Sequence, residues 1–241
     1  MQKIKHLLRS SFSKPHVTTP VAIILAAIIL AVSHVAYGMI VKSQPTSPTT
    51  LFKGRTIDDS DLVTNNTKSK IMLVEYSDTE CPFCAQLHPT IKKIEQEYGS
   101  KIGFVYRYFP LTQIHPHSFE ESRAIHCVGK NLGSQKRHDY IDSIFTTKLS
   151  AKNMVLPDGG KEALAKNLGI DDAAFKSCMT GQASSDVVNA SIQDGVAAGV
   201  QGTPATFILI KTRKGYEVVS MVDGARPYEY FKAIIDDALS R

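Results

Sequence analysis

Two cysteines separated by two residues are the part of the sequence best suited to chemistry. Cys81-Pro82-Phe83-Cys84 could be a redox-active dithiol, part of a zinc site or a plain structural disulfide. Ile71 to Tyr76 form an apolar run of strand length, and Pro82 to Tyr98 have helical spacing. Cys81 is therefore predicted to lie where a strand ends and a helix begins. Pro82 fits the first helical position, because the N–H that proline lacks would have no partner there.

This placement gives the two sulfurs different roles. Unpaired N–H groups and the positive end of the helix dipole favour the thiolate of Cys81, which makes it the attacking sulfur. Cys84 lies one turn inside the helix, where it can attack a mixed disulfide formed at Cys81. A zinc site needs four ligands, usually in two close pairs, but the remaining cysteines, Cys127 and Cys178, are 51 positions apart. We therefore predict a redox pair, with no metal and no other cofactor.

The cysteine pair has a wider context that is similar to a known family. The strand, the cysteine pair and its helix precede a helical block, and Gly202-Thr203-Pro204-Ala205 then precedes another strand. From about Ile71 to Leu239 this order resembles the DsbA-like thiol:disulfide oxidoreductases of the thioredoxin superfamily. The resemblance implies a thioredoxin-like α/β fold with a helical insertion at about 113–198.

The resemblance also assigns roles to individual residues. It implies a cis Pro204 beside the reactive cysteines, and a substrate-binding surface formed by Pro82, Phe83 and the backbone of Thr203. Thioredoxin-like proteins carry a buried acid six residues before the first cysteine, where this chain has Glu75. Burial would raise the pKa of Glu75 and suit it to relay a proton to or from Cys84. The alternative is a glutamate on the solvent-facing edge of the strand.

A further stretch of the family pattern follows the second strand. Arg107-Tyr108-Phe109-Pro110-Leu111 and His115-Pro116 resemble it, and we interpret them as a packing segment that leads into the helical block. His88, His115 and His117 are interpreted as structural rather than catalytic histidines.

The second cysteine pair falls in two predicted helices of the inserted block. In an oxidising compartment, Cys127 and Cys178 are most simply a structural disulfide, and some DsbA-like proteins carry an extra disulfide in this region. Two free buried thiols and a second redox relay are the alternatives.

The N-terminus combines positive charge with an apolar run. Val21 to Val32 are all apolar, and continuation to Val41 gives about 21 residues, the length of a bilayer span. Four bases and no acid precede this run: Lys3, Lys5, Arg9 and Lys14. We predict a cytoplasmic tip and a transmembrane or cleavable signal segment over 1–41, a linker over 42–65 and the DsbA-like domain over 66–241. Either fate of the segment places the domain outside the cytoplasm, in the periplasm or at the cell exterior.

The rest of the chain carries almost no net charge. Four of the 28 Lys and Arg lie in the N-terminal segment, which leaves 24 against 23 Asp and Glu. With no basic excess and no Trp to stack on bases, we predict no nucleic-acid partner.

The resemblance implies an enzyme that introduces disulfides into reduced exported proteins and is reoxidised by a DsbB-like membrane partner. The strongest oxidants of the family have histidine where this chain has Phe83, so we expect a milder oxidant. Family isomerases carry a dimerisation domain before the catalytic one, and residues 42–70 are too few for it, so we expect a monomer. An isomerase or reductase using the same cysteines, and a non-enzymatic thiol- or copper-binding module, are the alternatives.

Overall fold

The computed structural model describes residues 50–58, 61 and 63–241. Six strands in this part of the chain form one sheet: β1 Thr50–Leu51, β2 Thr64–Asn65, β3 Ile71–Ser77, β4 Ile102–Tyr108, β5 Ala205–Thr212 and β6 Gly215–Asp223. The α-helices are α1 Pro82–Tyr98, α2 Ser118–Leu132, α3 Ser134–Ala151, α4 Gly160–Asn167, α5 Asp172–Thr180, α6 Gln182–Ala198 and α7 Tyr228–Ser240, and Gly99–Lys101 form a short 3₁₀ helix.

The sheet has the order β1-β6-β5-β3-β4-β2, with β3 at its centre. β3 pairs in parallel with β4 and antiparallel with β5, and all seven of its residues are buried. Burial on both faces explains why Ile71 to Tyr76 of β3 are apolar except for Glu75. The β3–α1–β4 unit, the hairpin β5–β6 and the closing helix α7 make the thioredoxin-like part of the fold.

Two apolar clusters cover the two faces of the sheet. The larger one includes Leu73 and Ile208 from the sheet, Ile91 from α1, Phe231 from α7 and much of the helical block. The smaller one is formed by Met72, Val74, Tyr76, Val105, Phe207 and Leu209, with Phe109 and Val200. The alternation of β3 side chains between the clusters fixes which residues face α1, and Glu75 is on that side with Leu73.

The inserted block consists of the five helices α2–α6, between β4 and β5. Its buried side chains, among them Val128, Tyr140, Phe145 and Phe175, belong to the larger apolar cluster. The block therefore shares one core with the thioredoxin-like part. The predicted α/β fold with a helical insertion is confirmed.

The predicted linker over 42–65 differs from the structure in its second half. β1 pairs with β6 at one edge of the sheet, β2 pairs with β4 at the other edge, and Phe52, Ile57 and Val63 pack on the smaller cluster. Residues 50–58, 61 and 63–65 are therefore part of the domain. Two-residue strands and isolated apolar side chains leave no periodic pattern in the sequence. For this reason the sequence predicted a linker where the structure has part of the domain.

A buried ionic network attaches this segment to the domain. The Arg107 guanidinium, 1% exposed, donates to Asp61 at 3.0 and 3.2 Å and to Asp194 of α6 at 2.8 Å. The Tyr76 hydroxyl donates to the same Asp194 carboxylate at 2.5 Å. Removal of one member would leave an uncompensated buried charge, at a cost of about 3–5 kcal/mol. This explains why a segment with few apolar residues stays on the sheet.

The predicted cytoplasmic tip and transmembrane or signal segment over 1–41 lie outside the described residues. Within residues 50–58, 61 and 63–241, no helix has both the length and the apolar character that a bilayer crossing needs.

Candidate active site

The cysteine pair lies at the junction of β3 and α1. Cys81 is the residue before α1, in an extended conformation (φ −74°, ψ 120°), and Pro82 is the first helical residue. The Cys81 N–H donates to the carbonyl of Asp78 at 3.2 Å, and its carbonyl accepts the Ala85 N–H at 3.1 Å. The strand end, the tight loop and the first turn of the helix therefore fix the backbone of Cys81. Both cysteines are thiols in this structure.

The loop before β5 lies against the Cys81 sulfur. The Thr203–Pro204 peptide is cis, and Cys81 Sγ is 3.4 Å from the Thr203 carbonyl oxygen. Strand pairing brings these distant residues together, because Ala205 at the start of β5 is opposite Tyr76 near the end of β3. The Gly-Thr-Pro sequence therefore lies where the resemblance implied.

The two thiols have opposite electrostatic environments. The pKa of Cys81 is lowered to about 6, first by the hydrogen bond from the Cys84 thiol and further by backbone N–H groups of Cys84 and Phe83 and by Thr203, against a burial effect that raises it. Burial raises the pKa of Cys84 well above its ordinary value, and a negative charge on Cys81 raises it further. At neutral pH Cys81 is thus the thiolate and Cys84 the proton donor to it.

Glu75 is buried beneath this pair, with 3% of its surface exposed. Tyr106 of β4 and Thr206 of β5 are its neighbours across the sheet, and the hydroxyls of both lack a hydrogen-bond partner within the described part of the chain. Burial raises the pKa of Glu75 to about 7, and its charge raises the pKa of Cys84. Glu75 is therefore a buried acid that titrates near neutrality, not a solvent-facing glutamate.

The loop between β3 and Cys81 contains a residue that sequence reasoning missed. The Asp78 carboxylate is fully buried, and accepts hydrogen bonds from the N–H of Glu80 (2.7 Å), the N–H of Leu111 (2.7 Å) and Nδ1 of His115 (2.9 Å). The signal available in sequence was an acid directly after a buried strand, and a His-Pro dipeptide that was assigned only to packing.

Lys148 of α3 holds the same loop from the helical block. Its buried ammonium donates to the Glu121 carboxylate at 2.6 Å and to the carbonyl of Thr79 at 3.0 Å. The Glu80 carboxylate accepts the N–H of His117 at 2.7 Å. Residues of the insertion and of its entry segment therefore fix the backbone immediately before Cys81.

The surface around the cysteines is partly apolar. Phe83, between the two cysteines, is 60% exposed, and Pro82 is also exposed. A cavity of about 540 Å³ adjoins the cis-proline loop, where Thr203, Pro204 and Met221 are among its lining residues. Exposed apolar side chains beside a reactive sulfur form a surface that suits an unfolded polypeptide.

The second pair, Cys127 and Cys178, connects α2 to α5 in the helical block. The two sulfurs are 1.99 Å apart, a covalent disulfide, and Cys127 is fully buried. The structure thus separates the cysteines into a bonded pair and a dithiol.

A family model described as Thioredoxin matches residues 58–237. The chain belongs to the thioredoxin family. Among solved structures, the thiol-disulfide exchange protein α-DsbA2 of Wolbachia pipientis has a similar fold, with a TM-score of 0.62, 21% identity, and coverage of 75% of this chain and 88% of that one. The family match confirms the predicted thioredoxin relationship, and the structural likeness shows that a DsbA protein shares this fold.

Two curated relatives match over shorter parts of their own sequences. The Na⁺/H⁺ antiporter NhaA 1 of Mycobacterium sp. (strain KMS) is 26% identical over 182 residues, which is 74% of this chain and 28% of the antiporter. The chain thus spans less than a third of that relative. A Rickettsia conorii protein, provisionally named a protein-disulfide oxidoreductase, is 29% identical over 160 residues, which is 63% of this chain and 54% of that protein.

Proposed function

We propose that this thioredoxin-family protein is an extracytoplasmic thiol:disulfide oxidoreductase that introduces disulfides into reduced exported proteins. The observation that carries the proposal is the geometry of the dithiol: Cys81 at the helix start, 3.4 Å from the carbonyl oxygen of Thr203, with Cys84 buried behind it. The names of the Wolbachia and Rickettsia relatives support the same chemistry.

The reaction consists of two thiol–disulfide exchanges. A substrate thiolate attacks Cys81 Sγ of the Cys81–Cys84 disulfide, so that a mixed disulfide forms and Cys84 leaves as a thiolate. A second substrate thiolate then attacks the substrate sulfur of the mixed disulfide and releases Cys81 as a thiolate. The substrate gains a disulfide and the protein gains two electrons. A DsbB-like membrane partner would take these electrons and restore the Cys81–Cys84 bond.

Glu75 would manage the proton at Cys84. The departing Cys84 thiolate is buried and must be protonated, since its pKa lies well above its ordinary value. Glu75 has a pKa of about 7 and lies on the same side of the sheet, so it can give up a proton near neutral pH and recover it in the reverse step.

Substrate recognition would use the backbone and the apolar rim. Thr203 and the cis Pro204 directly precede β5. An extended substrate could form backbone hydrogen bonds with this loop, and such bonds do not depend on the substrate's sequence. Pro82 and Phe83 would contact the flanking side chains. Such binding fits a protein that acts on many unfolded substrates.

We expect this protein to be an oxidant of a strength between those of DsbA and thioredoxin. Oxidising power increases as the thiolate of the attacking cysteine becomes more stable, and that cysteine has a pKa of about 3.5 in DsbA and about 7 in thioredoxin. The Cys81 value of about 6 lies between them. Phe83 adds no positive charge to lower the pKa further.

We further propose that residues 1–41 hold the domain at the outer side of a membrane, or direct its secretion, and that the domain acts as a monomer. The basic tip and the apolar run of the N-terminal sequence support this placement. A disulfide between two helices of the insertion also fits an oxidising compartment.

The test is the oxidation of reduced, unfolded ribonuclease A in a glutathione buffer, followed by the return of nuclease activity. The protein should accelerate the return, and Cys81→Ser should remove the acceleration. If Cys81→Ser accelerates as well as the unchanged protein, the proposal is wrong. Acceleration with scrambled ribonuclease but not with reduced ribonuclease would identify an isomerase instead.

A further inference from the structure

Asp78 contacts both active-site cysteines through its backbone. Its N–H donates to Cys84 Sγ at 3.4 Å, and its carbonyl accepts the N–H of Cys81 at 3.2 Å. Donation to Cys84 matters most when that sulfur is a thiolate, because Cys84 is fully buried and no water can stabilise the charge. The direction of this N–H therefore affects every step in which Cys84 leaves or attacks.

The Asp78 side chain is bonded to residues outside its own loop. Its carboxylate spans from the loop to the segment after β4, where the Leu111 N–H and His115 Nδ1 donate to one oxygen at 2.7 and 2.9 Å. Because a carboxylate only accepts, Nδ1 carries the hydrogen in this contact. The His115 N–H in turn donates to the Leu111 carbonyl at 2.9 Å, so a tight turn holds the ring in place.

The same contacts also stabilise the negative charge of the Asp78 carboxylate. A buried carboxylate near a sulfur that must become negative would oppose the formation of that thiolate. Three donors, from Glu80, Leu111 and His115, stabilise the Asp78 carboxylate through hydrogen bonds. His115 is the only one of the three that donates from a side chain. It is therefore the donor that a substitution can remove without a change in the backbone.

We propose that the Asp78–His115 pair is a positioning device that directs the Asp78 N–H at Cys84 and accelerates the steps in which Cys84 carries negative charge. The proposal rests on the proposed function of the cysteine pair. Asp78 and His115 act through Cys84 and do not react themselves. His117, two residues away, is an internal control, because its ring is exposed and its contact to Glu80 uses the backbone N–H.

Stopped-flow reaction of the full chain with dithiobis(nitrobenzoate) separates the two sulfurs. The protein is reduced at Cys81 and Cys84 only. The Cys81 thiolate attacks the reagent and releases one thionitrobenzoate. The Cys84 thiolate then attacks Cys81 Sγ, forms the Cys81–Cys84 bond and releases the second thionitrobenzoate. The reagent is the oxidant and accepts two electrons, so each phase of colour reports one step.

We expect His115→Leu to slow the second release on the order of tenfold, as the loss of one charge-assisted hydrogen bond would. The first release should change by less than about twofold, because it needs only Cys81. His115→Asn should restore the second phase, since its amide nitrogen can replace Nδ1. His117→Leu should change neither phase. If His115→Leu does not fold, His115→Gln takes its place, because that amide overlays Nε2 and misses Asp78.

Three results would overturn the inference: equal slowing of both phases in His115→Leu, a second phase as fast as in His117→Leu, or no recovery in His115→Asn. A different result would contradict the proposed function itself. In that case the unchanged protein would release one thionitrobenzoate and stop, because Cys84 would not resolve the mixed disulfide.

Discussion

The two cysteine pairs of this domain show how the surroundings of sulfur decide its role. Cys81 and Cys84 are three positions apart, next to a helix start, a cis-proline loop and a buried acid. Cys127 and Cys178 are 51 positions apart, in two helices of the insertion, and are bonded to each other. The first pair has thiols whose pKa values are displaced in opposite directions. The second pair closes a long loop.

The sequence distance between two cysteines affects the stability of the protein, whereas hydrogen bonds and burial determine the reactivity of their sulfurs. A long closed loop restricts the unfolded chain more than a short one. A short loop at a helix start stabilises a thiolate and leaves the disulfide easy to reduce. One pair can thus support the fold while the other reacts.

Disulfide exchange should respond most strongly to the loss of Cys81. Cys81→Ser should reduce the rate of disulfide transfer to a reduced peptide by about a thousandfold or more, since the hydroxyl that replaces the thiolate cannot form the mixed disulfide. Cys84→Ser should accumulate that mixed disulfide, visible as a mass increase. The double change Cys127→Ala and Cys178→Ala should stay within about threefold of the unchanged protein. Loss of exchange in that variant would make the second pair part of the reaction.

For the stability of the protein, the Cys127–Cys178 pair should matter more than the Cys81–Cys84 pair. The double change Cys127→Ala and Cys178→Ala should lower the free energy of unfolding by about 4 kcal/mol, because the unfolded chain is no longer closed into a loop. Cys81→Ser with Cys84→Ser should cost the oxidised protein less, since that loop is short. Urea unfolding of both variants at one pH checks the comparison. Equal losses would contradict the assigned roles.

Glu75 should couple the active site to the pH dependence of stability. Its folded pKa of about 7 is above the ordinary value of 4.5, so its stabilising contribution is complete below about 4.5 and is lost as the pH rises to about 7. In Glu75→Gln the decline in unfolding free energy across this interval should shrink by about 3 kcal/mol. Urea unfolding at several pH values measures it, with the exposed Glu162→Gln as control. If the unfolding free energy of Glu75→Gln declines as steeply as that of Glu162→Gln, the pKa of Glu75 is not raised by burial.

The titration of the Cys81 thiolate should report its hydrogen bond from Cys84. Since its folded pKa is depressed to about 6, the stabilisation of the reduced protein is present at high pH and is lost as the pH falls through about 6. Thiolate absorbance should therefore titrate near this value. Cys84→Ala should raise the midpoint, because the thiol hydrogen bond is the largest cause of the depression, and Cys84→Ser should raise it less. An unchanged midpoint in Cys84→Ala would exclude that hydrogen bond as the cause.

The sequence predicted those strands and helices whose residues follow a local apolar pattern. The apolar run of β3 and the spacing of α1 identified both elements. The resemblance placed Thr203-Pro204 beside the cysteines, although 122 positions separate Thr203 from Cys81. Periodicity and capping are local, so these features are readable without a structure.

The missed features depend on contacts between residues far apart in sequence. Asp78 meets His115 across 37 positions, and Arg107 meets Asp194 across 87. Buried polar contacts of this kind follow no periodic pattern, because only the fold decides which polar residues are removed from water. The short strands β1 and β2 were missed for a similar reason, since each has two residues.

In the proposed function, the Cys81–Cys84 pair gives disulfides to other proteins. Its most direct test is a glutathione redox titration of the full chain, with alkylated thiols counted by mass spectrometry. We predict that two thiols titrate together, with a midpoint between about −120 and −180 mV, the range of DsbA and protein disulfide isomerase. A midpoint near −270 mV, as for thioredoxin, would indicate a reductase and contradict the proposed oxidase function.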